Sequence, residues 1–213
     1  MQQRRTKDQT TPQTRRADAQ RNFDRIVRAA LEALEKDGPA VPLDEIARRA
    51  GVGVATVYRR FGDRDGVIGA AFETYFAEEI EPAVLAARAA PDPRRGLAEA
   101  LTVAVEAMPA HRSLLAAARE SGAFTVEIAE RFMGPLGEVL AAAQGRGLVR
   151  GDLMTRDLAA IVVMTWATAH EGDALCADPR RYLALLLDGT RPSPEPLPAP
   201  AAIHPFTGKA PTP

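Results

Sequence analysis

The pattern of apolar and polar residues along this chain is helical over most of its length. Apolar positions recur at intervals of three and four residues, and no stretch shows the two-residue alternation of a β-strand. The sequence therefore predicts an all-α fold with short connections that are rich in Gly, Pro or Asp. After a break at residues 91–93, helices are expected at 94–107, 111–119, 125–144, 155–171 and 179–187.

Two longer helices are expected in the first part of the chain. The first is predicted to start with Asn22 as its cap, because an Asn side chain accepts hydrogen bonds from the first turn, and to end at Asp37-Gly38-Pro39. The other is predicted to run from a cap at Asp63 to about Ala90, as a link to the helices that follow. Pro82 is expected to kink this link, since proline removes one backbone hydrogen bond.

Two short helices lie between these longer ones, in the stretch Leu43–Phe61. In the first, Leu43, Ile46, Ala47 and Ala50 share one face. Gly51 ends it in the left-handed conformation that glycine adopts easily. In the second, Val57 and Phe61 are four residues apart and face inward. The residues left outward or flanking are Val54, Ala55, Thr56, Tyr58, Arg59 and Arg60. Two short helices around a glycine turn predict a helix-turn-helix, with the second helix facing DNA.

Charge is unevenly distributed along the 213 residues, although the net value is only −1. The chain through Ala70 has 14 Lys and Arg against 10 Asp and Glu, which gives +4. The remainder has 13 against 18, which gives −5. A basic front and an acidic remainder are expected if only the N-terminal part meets phosphate.

Both ends of the chain are polar and lack a helical pattern. Residues 1–20 are predicted to form a flexible basic arm, which either serves solubility or reaches DNA phosphates or the minor groove. Residues 191–213 repeat proline and are predicted to be a disordered, extended tail. The single cysteine, Cys176, cannot form an internal disulfide, and no apolar run approaches a membrane span of ~20 residues. A cytoplasmic protein without membrane contact is expected.

The later helices are more apolar than a solvated surface helix can be. Residues 158–169, LAAIVVMTWATA, have almost no polar side, and the segment from Tyr182 is similar. Either these helices lie in the middle of the bundle, or a second subunit covers one side. The sequence leaves these two alternatives open.

The stretch around the two short helices resembles the TetR/AcrR family of transcriptional regulators. The resemblance covers about residues 22–76 and rests on Ile46-Ala47, Ala50-Gly51-Val52, Thr56-Val57-Tyr58, Phe61 and Arg64. It implies a three-helix DNA-binding domain, a fourth helix leading to a larger helical domain, and a homodimer that binds a palindromic operator. It also implies repression that ends when a small molecule enters the C-terminal bundle.

The resemblance assigns roles to individual residues of the second short helix and its surroundings. Thr56, Tyr58 and Arg64 match positions that contact phosphates, and Arg60 would add a further phosphate contact. Val54, Ala55 and Arg59 match positions that face base edges, where Arg59 can bond guanine and the two small side chains can meet thymine methyls. Gly53 departs from the usual serine, so the phosphate contact of that hydroxyl is missing here.

Candidates for a ligand site come from the apolar C-terminal half, because pockets in helical bundles are mostly apolar with few polar groups. They are Phe124, Phe132, Met133, Met164, Trp166 and His170, each of which is equally compatible with an ordinary core position. The three histidines are isolated, and no phosphate loop or catalytic constellation is present. We therefore expect no metal, no cofactor and no enzyme activity.

Together these observations predict four parts: a flexible arm at 1–20, a helix-turn-helix domain at 21–66, a ligand-binding and dimerisation bundle at 67–190, and a tail at 191–213. The predicted function is a homodimeric transcriptional regulator, more specifically a repressor that a small molecule of unknown identity releases from operator DNA. The alternative is an all-α small-molecule carrier or sensor that does not read DNA.

Overall fold

The computed structural model describes residues 12–123, 126–167 and 178–199, and this part of the chain is helical without a strand. The all-α prediction is therefore confirmed. The helices are α1 (Pro12–Asp37), α2 (Leu43–Ala50), α3 (Val54–Phe61), α4 (Arg64–Tyr75), α5 (Glu81–Ala89), α6 (Pro93–Ala107), α7 (Arg112–Glu120), α8 (Val126–Gly145), α9 (Thr155–Ala167) and α10 (Pro179–Asp188).

Helices α1, α2 and α3 form a three-helix head whose centre is closed by aliphatic side chains. Ile26 of α1, Ile46 of α2 and Val57 of α3 have no exposed surface. Each lies on the apolar side of an amphipathic helix, so burial of these side chains holds the three helices together. The bounds of α2 and α3 are those that the sequence predicts.

The start of α1 differs from the prediction. The helix begins at Pro12, ten residues before Asn22, so residues 12–20 are helical and not a flexible arm. Proline suits the first turn of a helix because its missing N–H would be unpaired there in any case. Residues 18–20 of this extension are exposed, and the Gln20 amide donates to Asp24, four residues later, at 2.8 Å. Periodicity could not show it, because residues 12–20 contain no large apolar residue. Residues 1–11 lie outside the described part.

A π-helical turn, Phe76–Ile80, joins α4 to α5 at the position of the predicted kink. Pro82 has no N–H for the carbonyl of Glu78, four residues before it, so the α-helical ladder cannot continue unchanged. The N–H of Glu81 bonds instead to the carbonyl of Phe76, five residues back. The predicted single link is therefore two helices with a register change between them.

The C-terminal bundle consists of α5 to α10 and packs directly on the head. α6 contacts α5, α8, α9 and α10, and α7 contacts both α1 and α4. The buried apolar side chains form one continuous cluster from Ile26 in α1 to Leu183 in α10. The head and the bundle therefore share one hydrophobic core.

The described beginning of the predicted tail, residues 191–199, is exposed and non-helical, but the protein holds it at two points. Arg150 donates to the carbonyl of Glu195 at 2.7 Å, and Asp152 accepts from the N–H of Leu197 at 2.7 Å. The Arg150 guanidinium and the Leu197 N–H hold the pKa of Asp152 well below its usual range. Residues 200–213 lie outside the described part.

Candidate nucleic-acid interface

The turn between α2 and α3 is built by two glycines. Gly51 ends α2 with φ at 64°, a conformation that favours glycine, and Gly53 starts α3 with an extended backbone and without a side-chain cap. Val57 then points into the core with no exposed surface. This inward anchor fixes the rotation of α3, and the residues on its opposite side consequently face solvent.

The exposed side of α3 brings together the residues that the sequence predicts for base and phosphate contacts. Ala55, Tyr58, Arg59 and Arg60 are exposed, with Tyr58 at 52%, while Val54 and Thr56 are half-buried. Neither Tyr58 nor Arg59 forms a side-chain hydrogen bond or ion pair with another described residue. A phenol and a guanidinium are thus available to an external partner, beside two small side chains.

Arg60 has an internal contact that the sequence analysis missed. Its guanidinium carbon lies 5.3 Å from the ring centre of Phe23 in α1. The same ring stacks on Phe61 at a centroid distance of 5.2 Å. A cation over an aromatic face is attracted by the ring quadrupole, so Phe23 holds Arg60 near the end of α3. In the sequence, the one feature that could have indicated this contact is Phe23, the aromatic residue at the start of the apolar pattern in α1.

Arg64 also differs from the expectation of a purely external contact. Its Nε donates to the carbonyl of Val41 at 2.9 Å, and one Nη donates to the carbonyl of Pro39. The guanidinium thus fastens the loop between α1 and α2 to the start of α4. Asp63 caps α4 as predicted, with its Oδ1 accepting from the N–H of Gly66 at 2.8 Å. A phosphate contact of Arg64 stays a prediction that would use its remaining N–H groups.

An ion-pair network on α2 fixes the helix that precedes the turn. The Glu45 carboxylate accepts from Arg48 at 2.6 and 2.7 Å and from Arg49 at 2.7 Å. Arg49 also reaches Asp37 at the end of α1, at 2.6 Å. Hydrogen bonds from Arg48 and then Arg49 lower the pKa of Glu45 to about 2, so it stays ionised at neutral pH. In the sequence, the i, i+3 and i, i+4 spacing of Glu45 to Arg48 and Arg49 is the pattern that could have indicated these ion pairs.

Three of the six residues predicted to line a ligand site can be described, and they lie on α8 and α9. Met133 is half-buried and packs against the core, and Trp166 is half-buried with an indole N–H that has no partner among the described residues. Met164 is 48% exposed on α9, so in the single chain it lies on the helix surface, and its part in a ligand site stays a prediction. Its side chain follows the outward face of the helix. The side chain of Phe132, and Phe124 and His170, lie outside the described part.

Large apolar side chains are exposed on both α9 and α10, which contact each other. Val163 and Met164 of α9 are 54% and 48% exposed, and Leu185 of α10 is 60% exposed. We call these three residues the α9–α10 face. Large apolar side chains exposed on neighbouring helices are typical of surfaces that bind another protein.

Among the described residues, no group of three or more His, Cys, Asp or Glu side chains could hold a metal ion. None of the described helices combines the length and the apolar character needed to span a bilayer.

Comparison with known proteins gives matches over both parts of the chain. Residues 26–71 match the model for bacterial regulatory proteins of the tetR family. Residues 83–192 match the C-terminal domain model of SbtR-like transcriptional regulators. A search among curated proteins gives no match.

Solved structures of transcriptional regulators are similar over most of their length. A TetR regulator from Mycobacterium vanbaalenii is 31% identical, with 83% of this chain and 98% of the other covered and a TM-score of 0.57. One from Streptomyces coelicolor is 28% identical, with 80% and 99% covered and a TM-score of 0.57. A TetR-family regulator from Pectobacterium atrosepticum shares the fold at 21% identity, with 85% and 99% covered and a TM-score of 0.64.

Proposed function

Because the chain belongs to the TetR family of transcriptional regulators, we propose that it binds a palindromic DNA operator as a homodimer and acts as a repressor that a small molecule releases. The observation that carries this proposal is the solvent-facing side of α3, where Tyr58 and Arg59 have no internal partner among the described residues. The matching families and structures are regulators and not enzymes. A regulator that binds chromosomal DNA works in the cytoplasm.

The outward residues of α3 divide into two kinds of contact. Arg59 can donate two hydrogen bonds to O6 and N7 of guanine, and Val54 and Ala55 are small enough to approach thymine methyl groups. Thr56, Tyr58, Arg60 and Arg64 carry donors for phosphate oxygens, which position the protein without reading sequence. Because Gly53 has no hydroxyl, positioning depends on these four residues.

The α9–α10 face supports the dimer. It is apolar, it is exposed in the single chain, and it lies in the bundle, on helices that make no substantial contact with the head. Closed two-fold assembly through this face would cover Val163, Met164 and Leu185 with the same residues of a second copy. The two heads would then be free to enter successive major grooves.

Release by a small molecule is a shift between two arrangements of the heads. An effector that binds the bundle more tightly when the heads are misplaced for DNA lowers operator affinity by its difference in affinity for the two arrangements. Met133 and Trp166 are the described candidates closest to such a role, since both are half-buried in the bundle. The effector would be mostly apolar, in keeping with these side chains.

Selection of bound sites from random double-stranded DNA tests the proposal. We expect an enriched palindrome whose half-sites lie about one helical turn, ~34–36 Å, apart. Affinity for that palindrome is expected to fall steeply with salt, because phosphate contacts release counterions. If no sequence is enriched and DNA affinity does not depend on salt, the chain is the carrier or sensor described above.

Arg59→Ala is expected to relax discrimination at one base pair of each half-site by roughly 1–3 kcal/mol, because it removes a bidentate contact to guanine. Competition gel shifts against single-base variants of the selected site measure this change. An equal loss on selected and random DNA would show that Arg59 contacts phosphate and does not read a base.

Tyr58→Phe is expected to weaken binding to selected and random DNA by the same factor, since it removes one hydroxyl donor to phosphate without changing the ring. Tyr58 is 52% exposed and has no internal hydrogen bond among the described residues, so stability should not change. The measurement is the affinity for both DNAs beside the thermal unfolding curve. A change in base preference would contradict the positioning role.

A further inference from the structure

Two adjacent carboxylates on the π-helical turn connect it to both parts of the protein. Glu78 pairs with Arg28 of α1, in the head, at 2.5 Å. Glu79 pairs with His111, in the turn that leads into α7 of the bundle, at 2.8 Å. Consecutive residues thus reach opposite sides of the junction. We call these contacts the junction pairs.

The pair on the bundle side is the more enclosed of the two. The His111 side chain is 19% exposed, and its ring centre lies 4.3 Å from that of the buried Tyr75. Tyr75 in turn contacts the ring of Phe76 at 5.4 Å, at the first residue of the π turn. A carboxylate can only accept, so the Nε2–H of His111 donates to Glu79. Packing and a hydrogen bond therefore fix this end of the turn.

The pair on the head side is more solvated. The side chains of Arg28 and Glu78 are 59% and 46% exposed. An exposed pair contributes little to overall stability, because water screens it and two long side chains lose freedom. Its geometry nevertheless favours one angle between α1 and the π turn. The pair therefore affects the orientation of the head more than the stability of the fold.

The π turn is a position at which the angle between the head and the bundle can be set. Pro82 interrupts the α-helical hydrogen-bond ladder there, and interrupted ladders are where helices bend. Elsewhere at the junction, α7 packs on α1 and α4. The junction pairs therefore add two directional contacts to this packing.

We propose that the Arg28–Glu78 and Glu79–His111 pairs determine which half-site separation the dimer prefers, by fixing the angle of each head on the bundle. This inference rests on the proposed function, since it needs a dimer that binds two half-sites. One added base pair moves the second half-site by about 3.4 Å along the axis and rotates it by roughly 35°. The preferred separation is therefore sensitive to head orientation, while the base contacts of α3 are not.

The test repeats the selection from random DNA with the full-length double variant Glu78→Gln, Glu79→Gln. We expect the same half-site sequence, with a broader distribution of separations. The ratio of the best separation to those one base pair longer or shorter should fall about threefold or more, the scale of two weak ion pairs. The matched control is Glu99→Gln, which removes an exposed pair with Arg95 at 2.8 Å that lies within α6 and joins no two elements.

A charge exchange gives a second, independent variant set. Glu78→Arg alone should broaden the distribution, and adding Arg28→Glu should narrow it again, because the pair is restored with reversed signs. Thermal unfolding of every variant is measured beside the selection. A distribution unchanged in the double variant, broadened equally by Glu99→Gln, or accompanied by a new half-site sequence overturns the inference. If the wild-type protein enriches no palindrome, the proposed function itself fails.

Discussion

Leu185→Glu is expected to convert the dimer into a monomer and to lower operator affinity by about 100-fold or more, the usual scale of lost bivalency. Leu185 is 60% exposed and belongs to the α9–α10 face with Val163 and Met164. In a two-fold interface the substitution enters twice, and each carboxylate would be placed against apolar side chains without a partner. The single chain should fold normally, because the side chain is exposed in it.

Sedimentation and operator titration together measure this outcome. The monomer should bind a palindrome only as tightly as it binds an isolated half-site. The matched control is Leu85→Glu on α5, where the leucine is 50% exposed but the helix packs on α6 and α8 and not on α9 or α10. This control should remain dimeric. A Leu185→Glu protein that stays dimeric would place the dimer contact elsewhere on the bundle.

The same residues explain why the sequence left the role of α9 open. Core and interface side chains are both apolar, so the pattern LAAIVVMTWATA does not distinguish burial within one chain from burial between two chains. In the structure, Leu158 and Ile161 face the core, whereas Val163 and Met164 point outward. The residue type of Met164 is compatible with a core, a pocket or an interface, and only the structure shows that it lies on the helix surface of the single chain.

The helix-turn-helix was predictable because local chemistry determines it. Gly51 and Gly53 mark the turn, and the i, i+3 and i, i+4 spacing of apolar residues fixes which side of each short helix is buried. The bounds of α2 and α3 consequently agree with the structure. The roles of the outward residues on DNA stay predictions, since they concern a partner that the chain itself does not contain.

Features that depend on contacts between distant residues were not predictable. Arg64 bonds to the carbonyls of Pro39 and Val41, and no local pattern connects these positions. The π turn illustrates an intermediate case. Pro82 indicates that the helix changes there. A kink, a break and a change of hydrogen-bond register are all compatible with the missing N–H of proline. The packing around Tyr75 and Phe76 accompanies the register change that the structure adopts.

Gly66→Ala is expected to destabilise the protein by about 3 kcal/mol or more, at the upper end of the usual cost of overpacking. A Cβ at this position would lie 2.0 Å from the carbonyl oxygen of Phe61, the last residue of α3. The oxygen belongs to the backbone and cannot rotate away, so α3 must move relative to α4. Urea unfolding gives the stability change, and operator affinity should fall with it, because Val57 can no longer hold the outward side of α3 in place.

Gly69→Ala in the same helix is expected to have the opposite sign. The nearest atom to its Cβ would be the Cβ of Ala123 at 3.9 Å, which is an ordinary contact, and alanine is favoured over glycine inside a helix by ~0.8–1.0 kcal/mol. The two substitutions add the same methyl group three residues apart, so helix propensity alone would make both stabilising. A destabilised Gly66→Ala beside a neutral or stabilised Gly69→Ala would therefore show that the close approach of α4 to the end of α3 holds α3 in position. Two stabilised variants would show that the turn at Gly62 and Asp63 can absorb the displacement.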